Sequence, residues 1–201
     1  MKHHDAIRAV QDIAGEKVVL RPVRAEDAGE VVAACRESEA ELLRFMPWKN
    51  EKESDYTAFV ERSARDRAEG RTLNFTIYRK GDGSLLGGIG LHHVDPFSPV
   101  AEVGYWLRSS ATGNGHATDA LRALMRWCEG EGGFARLNAN AARENVASQR
   151  VLIRCGFVEE GFRPRGALVH GVWHDMLLFG RVASCDVQSD PCPRSSTNAG
   201  T

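Results

Sequence analysis

The chain has 201 residues, 42% of them hydrophobic, which is enough to bury one substantial core and fits one domain better than two. Its 26 basic and 27 acidic side chains leave a net charge of −1, which argues against the broad basic surface that nucleic acid requires, and no apolar run approaches the ~20 residues of a membrane span. Residues 1–14 lack the apolar core of a signal peptide and the five cysteines show no C-x-x-C spacing, so the expectation is a reducing cytoplasm, no membrane partner and no metal site.

Residues 17–23 (KVVLRPV) alternate like a half-buried strand, and 25–36 and 38–45 read as two short helices. Ser54 is a candidate N-cap for a helix running to about Glu69, with Gly70 as its stop. Residues 72–79 (TLNFTIYR), 85–94 and 100–107 (VAEVGYWL) read as three strands, the first two joined by the turn Gly81-Asp82-Gly83-Ser84, and together they predict an antiparallel meander. Residues 111–117 (ATGNGHA) open a strong helix with Ala117, Ala120, Leu121, Leu124, Met125 and Cys128 on one face. A short strand at 136–141, a helix capped by Asn145 and ending at Cys155-Gly156, and strands at 157–162 and 171–182 complete the pattern. The result is α/β, with 1–16 as an N-terminal extension, 17–183 as the domain, and 184–201, rich in Ser, Pro, Asn and Gly, as a disordered tail.

The chemistry concentrates in two segments. Gly113-x-Gly115-x-Ala117 sits at a strand-to-helix turn, where bare backbone N–H groups and the helix dipole would converge on an anion such as a pyrophosphate, or where the glycines simply make a turn. No Gly-Lys-Ser/Thr follows, which excludes a P-loop, and the preceding meander argues against a dinucleotide-binding unit. Some thirty residues on lie Asn145-Val146-Ala147-Ser148, Arg150-Val151-Leu152 and Cys155-Gly156-Phe157.

Together these segments resemble the GNAT superfamily of acetyltransferases, and more closely its RimJ/RimL branch, which acetylates protein α-amino groups. Met46-Pro47-Trp48, Ile89-Gly90-Leu91-His92, Glu102 to Leu107, Ala117-Thr118-Asp119-Ala120-Leu121, Gly156 to Gly161 and Gly171 to Met176 extend the resemblance, in order, over residues 17–182. It implies a mixed, mostly antiparallel sheet with helices on both faces and one splayed strand pair, and acetyl-CoA as cosubstrate. It also implies that the backbone of Thr112, Gly113, Asn114, Gly115, His116 and Ala117 holds the CoA pyrophosphate. The pantetheine arm would lie between the strand ending at Leu107 and the one near Ala139. A strand N–H at Trp106 or Leu107 would polarise the thioester, and Asn145 would bond the arm, besides or instead of capping its helix.

Two positions depart from the pattern. Thr112 stands where the family usually has Gln or Arg, and Leu152 where many members carry the tyrosine that protonates the departing thiolate; the resemblance makes Ser148 its replacement, against a plain reading as a first-turn helix residue. Glu102, on the strand expected to splay, is the candidate base, directly or through water, with His92 and His93 as alternatives and a solvated strand face as the plain reading. Trp48, His92, Tyr105 and Trp106 are candidates for the acceptor cleft, although large aromatics are commonly core. Arg122 and Arg126, or Arg150 and Arg154, would meet the nucleotide phosphates if not simply a solvated face. The acceptor expected from the resemblance is a protein N-terminus; a small-molecule amine, a lysine and a non-catalytic acyl-CoA sensor remain alternatives, and a homodimer is left open.

Overall fold

The computed structural model describes residues 2–47 and 52–183; Trp48 and the expected 184–201 tail lie outside them. Eight strands form one sheet: β1 (Ile13–Ala14), β2 (Val18–Pro22), β3 (Leu73–Arg79), β4 (Leu85–His92), β5 (Val100–Leu107), β6 (Arg136–Ala142), β7 (Val158–Val169) and β8 (Val172–Val182). Their order is β1-β2-β3-β4-β5-β6-β8-β7, and every pairing is antiparallel except β5 with β6. Strand alternation sends side chains to two apolar clusters. Leu73, Phe75, Ile77 and Leu86 pack with α1 (Lys2–Ala9), α5 (His116–Glu129) and α6 (Val146–Arg154). Tyr78 and Leu85 point the other way, into a smaller cluster with α2 (Ala28–Glu37), α3 (Glu39–Phe45) and α4 (Glu53–Ala68).

The feature that makes a site is where β5 and β6 part. They pair only from Val100↔Arg136 to Glu102↔Asn138. Beyond that point each keeps its outer partner: β5 stays on β4 as far as Leu107↔Gly87, and β6 stays on β8 as far as Ala142↔Met176. A V opens in the middle of the sheet, with α5 and α6 on one face and α3 on the other. Beside it, bare backbone makes room for Trp106: a Cβ on Gly88 would fall 2.6 Å from the indole Nε1.

Two local expectations are corrected, and a third segment gains a packing role. Helix α4 begins at Glu53 with Lys52 at the N-cap, so Ser54 lies inside the first turn; Asp55 closes the cap by accepting the Lys52 N–H at 3.0 Å. Strand β7 runs well past 162, to Val169, because it pairs with β8 across a bulge between Arg163 and Ala167. Within residues 1–16, expected as an extension, α1 packs Ile7 into the main core, and the Arg67 guanidinium from α4 donates to the Ile7 and Arg8 carbonyls at its C-terminal end.

Candidate active site

The V is the floor of a cleft of about 600 Å³. Val103 to Leu107 form one wall, Ala139 to Ala142 the other, and Thr112, Gly113, Gly115, His116 and Ala117 close one end beside α6. The other end lies between Phe45, the last residue of α3, with Met46 just after it, and the β7–β8 hairpin, which contributes Ala167, Val169, His174 and Met176.

At the first end, Gly113 and Gly115 have φ of 77° and 79°, a left-handed conformation that glycine adopts without steric cost. Among the described residues the N–H groups of Gly113, Asn114 and Gly115 have no backbone partner, and those of His116 and Ala117 are first-turn donors with none inside the helix. Nothing lies within 4 Å of where a Gly113 Cβ would be, so the turn is open on that side, and Lys17 Nζ lies 3.7 Å from where a Gly115 Cβ would be. That arrangement fits a pyrophosphate. The Thr112 hydroxyl turns back to the Ser109 carbonyl at 2.8 Å, and the Asn114 amide donates to the Thr112 carbonyl at 3.0 Å, so both side chains shape the turn. His116 is buried, its Nδ1 3.1 Å from the Ala111 carbonyl oxygen. Arg150 and Arg154 line this end of the cleft, whereas Arg122 and Arg126 reach the carbonyls of Arg154 and Ala14.

Two carboxylates that sequence reading left without a role hold this end in place. Buried Asp119, in the first turn of α5, accepts the backbone N–H groups of Glu16, Lys17 and Val18 at 3.0, 2.7 and 3.0 Å, tying the helix to the start of β2. Glu37, the last residue of α2, accepts from the Arg108 guanidinium and from the Ser110 N–H at 3.0 Å, clamping the chain that leads from β5 into the glycine turn. These bonds hold the Glu37 carboxyl down to about 2.

Midway along the cleft, Asn145 caps α6 by accepting the Ser148 N–H at 3.1 Å, and its Nδ2 donates to no group among the described residues. Ser148 lines the cleft, and the Tyr105 hydroxyl meets it from the opposite wall, 3.0 Å from Oγ and 3.1 Å from the Ser148 carbonyl. Burial pushes the Tyr105 phenol well above its ordinary value, so it stays protonated. Leu152 is fully buried, so Tyr105 provides a phenol by a route no linear motif announces. Trp106 and Leu107 also line the cleft.

Glu102 and His92 are placed elsewhere. They face each other as cross-strand partners at the closed end of the V, and neither lines the cleft. The Glu102 carboxylate is 3.4 Å from Nδ1 of the exposed His93, and burial lowers the His92 pKa.

Comparison with known proteins bears on this geometry. The sequence model of the acetyltransferase (GNAT) domain matches residues 17–158. The chain belongs to the GNAT acetyltransferase family. The structure of Mycobacterium smegmatis RimJ in complex with CoA-disulfide is 31% identical, with a TM-score of 0.79, over 89% of this chain and 88% of that one. The ribosomal-protein-serine acetyltransferase of Escherichia coli (strain K12) is 28% identical over 65% of this chain and 72% of its own length. The putative ribosomal N-acetyltransferase YdaF of Bacillus subtilis (strain 168) is 39% identical over 98 residues, 49% of this chain and about half of YdaF (54%). The resemblance to the RimJ/RimL branch therefore holds for this GNAT enzyme, and acetyl-CoA is the family's cosubstrate. Among the described residues there is no helix long and apolar enough to cross a membrane.

Proposed function

We propose that this GNAT protein transfers the acetyl group of acetyl-CoA to the α-amino group of a protein N-terminus, in the cytoplasm. The observation that carries the reading is one cleft whose lining runs from the N–H turn of Thr112 to Ala117, where the Gly113, Asn114 and Gly115 donors lack backbone partners among the described residues, to Phe45, Met46 and the β7–β8 hairpin. The pyrophosphate would rest on the backbone from Thr112 to Ala117, the pantetheine arm would run along β5 and bond Asn145, and the thioester would reach the middle of the V. An N–H at Trp106 or Leu107, on the edge of β5 that faces the cleft, would polarise its carbonyl. The amine enters from the hairpin side past Trp106.

The amine nitrogen attacks the thioester carbon, a C–N bond forms, and the C–S bond breaks with the electron pair on sulfur. Ser148, positioned by its hydrogen bond with the Tyr105 hydroxyl, gives its proton to that sulfur and regains one through water from the nitrogen of the new amide. An α-amine has a pKa of about 7.7–8.0 against about 10.4 for lysine, so it needs the less help to become a nucleophile. The ribosomal-protein substrates in the relatives' names support a protein acceptor.

The test is thiol release from acetyl-CoA with a panel of peptides having free or blocked N-termini, free lysines, and small amines. The reading expects release with free N-termini and none when only a lysine is free. Preference for small amines would replace it, and acetyl-CoA binding without release to any amine would make the protein a sensor.

A further inference from the structure

At the end of the cleft away from the glycine turn lies a titratable ring that the acetyl-transfer reading does not use. His174 lies on β8, opposite Ala167 of β7 and two residues from Met176, where β6 ends. It is only 7% exposed, yet it lines the cleft at the acceptor mouth. Phe45 of α3 packs against the ring, with centroids 5.9 Å apart and planes tilted by 59°. Nδ1 faces the Glu144 carboxylate at 3.5 Å, the loose separation common in catalytic pairs before substrate binds. Nε2 has no hydrogen-bond partner among the described residues.

We propose that His174, oriented by Glu144, is the group that takes the proton from the incoming amine. This rests on the acetyl-transfer reading. A carboxylate at Nδ1 fixes the proton there and leaves the lone pair on Nε2, the nitrogen able to act as base. The backbone brings acid and base together: Glu144 adjoins Asn145, which caps the turn carrying Ser148, and the Arg143 N–H bonds the Asp175 carbonyl at 2.9 Å, fixing this turn against the strand bearing His174. Glu144 and, on α3, Glu41 favour an arriving ammonium, against Arg44, whose guanidinium lies 5.0 Å over the Phe45 ring, and Arg143, 5.8 Å over the Phe162 ring; Arg150 and Arg154 lie toward the glycine turn. The Asp175 carboxylate is engaged elsewhere, accepting the Arg165 N–H at 2.8 Å.

The protons balance. The ammonium gives one proton to Nε2, and the neutral amine attacks. The second N–H proton leaves the new C–N centre as the C–S bond breaks and passes through water to the Ser148 oxygen, replacing the proton that Ser148 gives to sulfur. The His174 imidazolium then returns its proton to solvent, so each turnover yields amide, free thiol and one proton.

The test is the pH dependence of kcat/KM between pH 5.5 and 9.5, with an acceptor the parent uses, for the parent and for His174→Asn, Glu144→Gln and Glu102→Gln, alongside calorimetric binding of acetyl-CoA. The His174→Asn side chain keeps a donor toward Glu144 and supplies no base. This variant should lose roughly tenfold at pH 7, where about a tenth of an α-amine with a pKa of about 7.7–8.0 is already neutral, and recover toward the parent as the amine deprotonates by itself. Glu144→Gln, which removes the charge stabilising the imidazolium, should move the acid limb to lower pH. Acetyl-CoA affinity should stay within about twofold of the parent in both, since neither residue touches the cradle. A His174→Asn profile that keeps the parent's acid limb unchanged, instead of one that rises only with the amine's own deprotonation, overturns the proposal, as does a parent acid limb that vanishes in Glu102→Gln. A parent that uses only small amines refutes the N-terminal reading while the His174 test runs on that amine; a parent that turns over no amine overturns both. If His174→Asn does not fold, the shift in Glu144→Gln decides.

Discussion

Asp119 offers the sharpest test of how the cofactor end is held. Its carboxylate accepts three backbone N–H groups, from Glu16, Lys17 and Val18. A hydrogen bond to a charged group contributes about 1.5–3 kcal/mol, but the sum does not apply when Asp119→Ala removes the acceptor, because donors that reach water recover most of the loss. Glu16 and Lys17 are exposed and recover; Val18 is fully buried and does not. The expected destabilisation is therefore about 3 kcal/mol, one stranded donor plus partial losses at the other two, out of the roughly 5–15 kcal/mol of a typical domain. A second handle comes from Gly15, where a Cβ would fall 2.5 Å from the Asp119 Oδ2. Gly15→Ala should destabilise the parent and cost less on the Asp119→Ala background, where Val18 Cγ2 at 3.1 Å still crowds the new Cβ, a coupling of at least about 1 kcal/mol. Urea unfolding of the four proteins measures both quantities, and calorimetry with acetyl-CoA should show weaker binding in Asp119→Ala because the first turn of α5 is released. A loss under about 1 kcal/mol with strictly additive Gly15→Ala would refute the anchoring role.

Gly115→Val should weaken acetyl-CoA binding and also lower the Tm, because a β-branched residue is strained at a φ of 79°, whereas Gly115→Asn should keep the Tm and separate cradle from fold; equal Tm values for both would contradict the conformational reading. Tyr105→Phe removes the hydroxyl bonded to Ser148 and should lower kcat about tenfold with little change in the KM for acetyl-CoA, and Ser148→Ala should act the same way and non-additively with it; additive losses in steady-state kinetics would mean that the two hydroxyls work separately. The Glu37 carboxyl titrates at about 2 when folded, below its ordinary value, so its contribution is present above about pH 4.5 and is lost as the pH falls through its folded value. Glu37→Gln should flatten that part of the Tm-against-pH curve and weaken acetyl-CoA binding at neutral pH, and an unchanged curve would sink the clamp.

Sequence by itself determined the elements whose signal is local. The hydrophobic stripe of α5, the Asn145 cap of α6, the strands of the meander and the two glycines at a helix start are written in neighbouring residues, because helix period, strand alternation and positive φ are properties of a short stretch of chain. The family resemblance then pointed to the turn from Thr112 to Ala117, which lines the cleft. Tertiary structure alone decided the rest, since contacts between residues far apart in sequence leave no periodic mark. Tyr105 meets Ser148 only because β5 and β6 diverge beyond Glu102 and Asn138. That same divergence leaves Glu102 on the paired side, outside the cleft, while β8, running on past the end of β6, carries His174 into the acceptor mouth beside Glu144. Asp119 reads in the sequence as one more polar residue in a first turn, and its three partners lie about a hundred residues away, where β2 begins. A carboxylate or an imidazole gains a role from what surrounds it, and here the surroundings exist only once the sheet has opened.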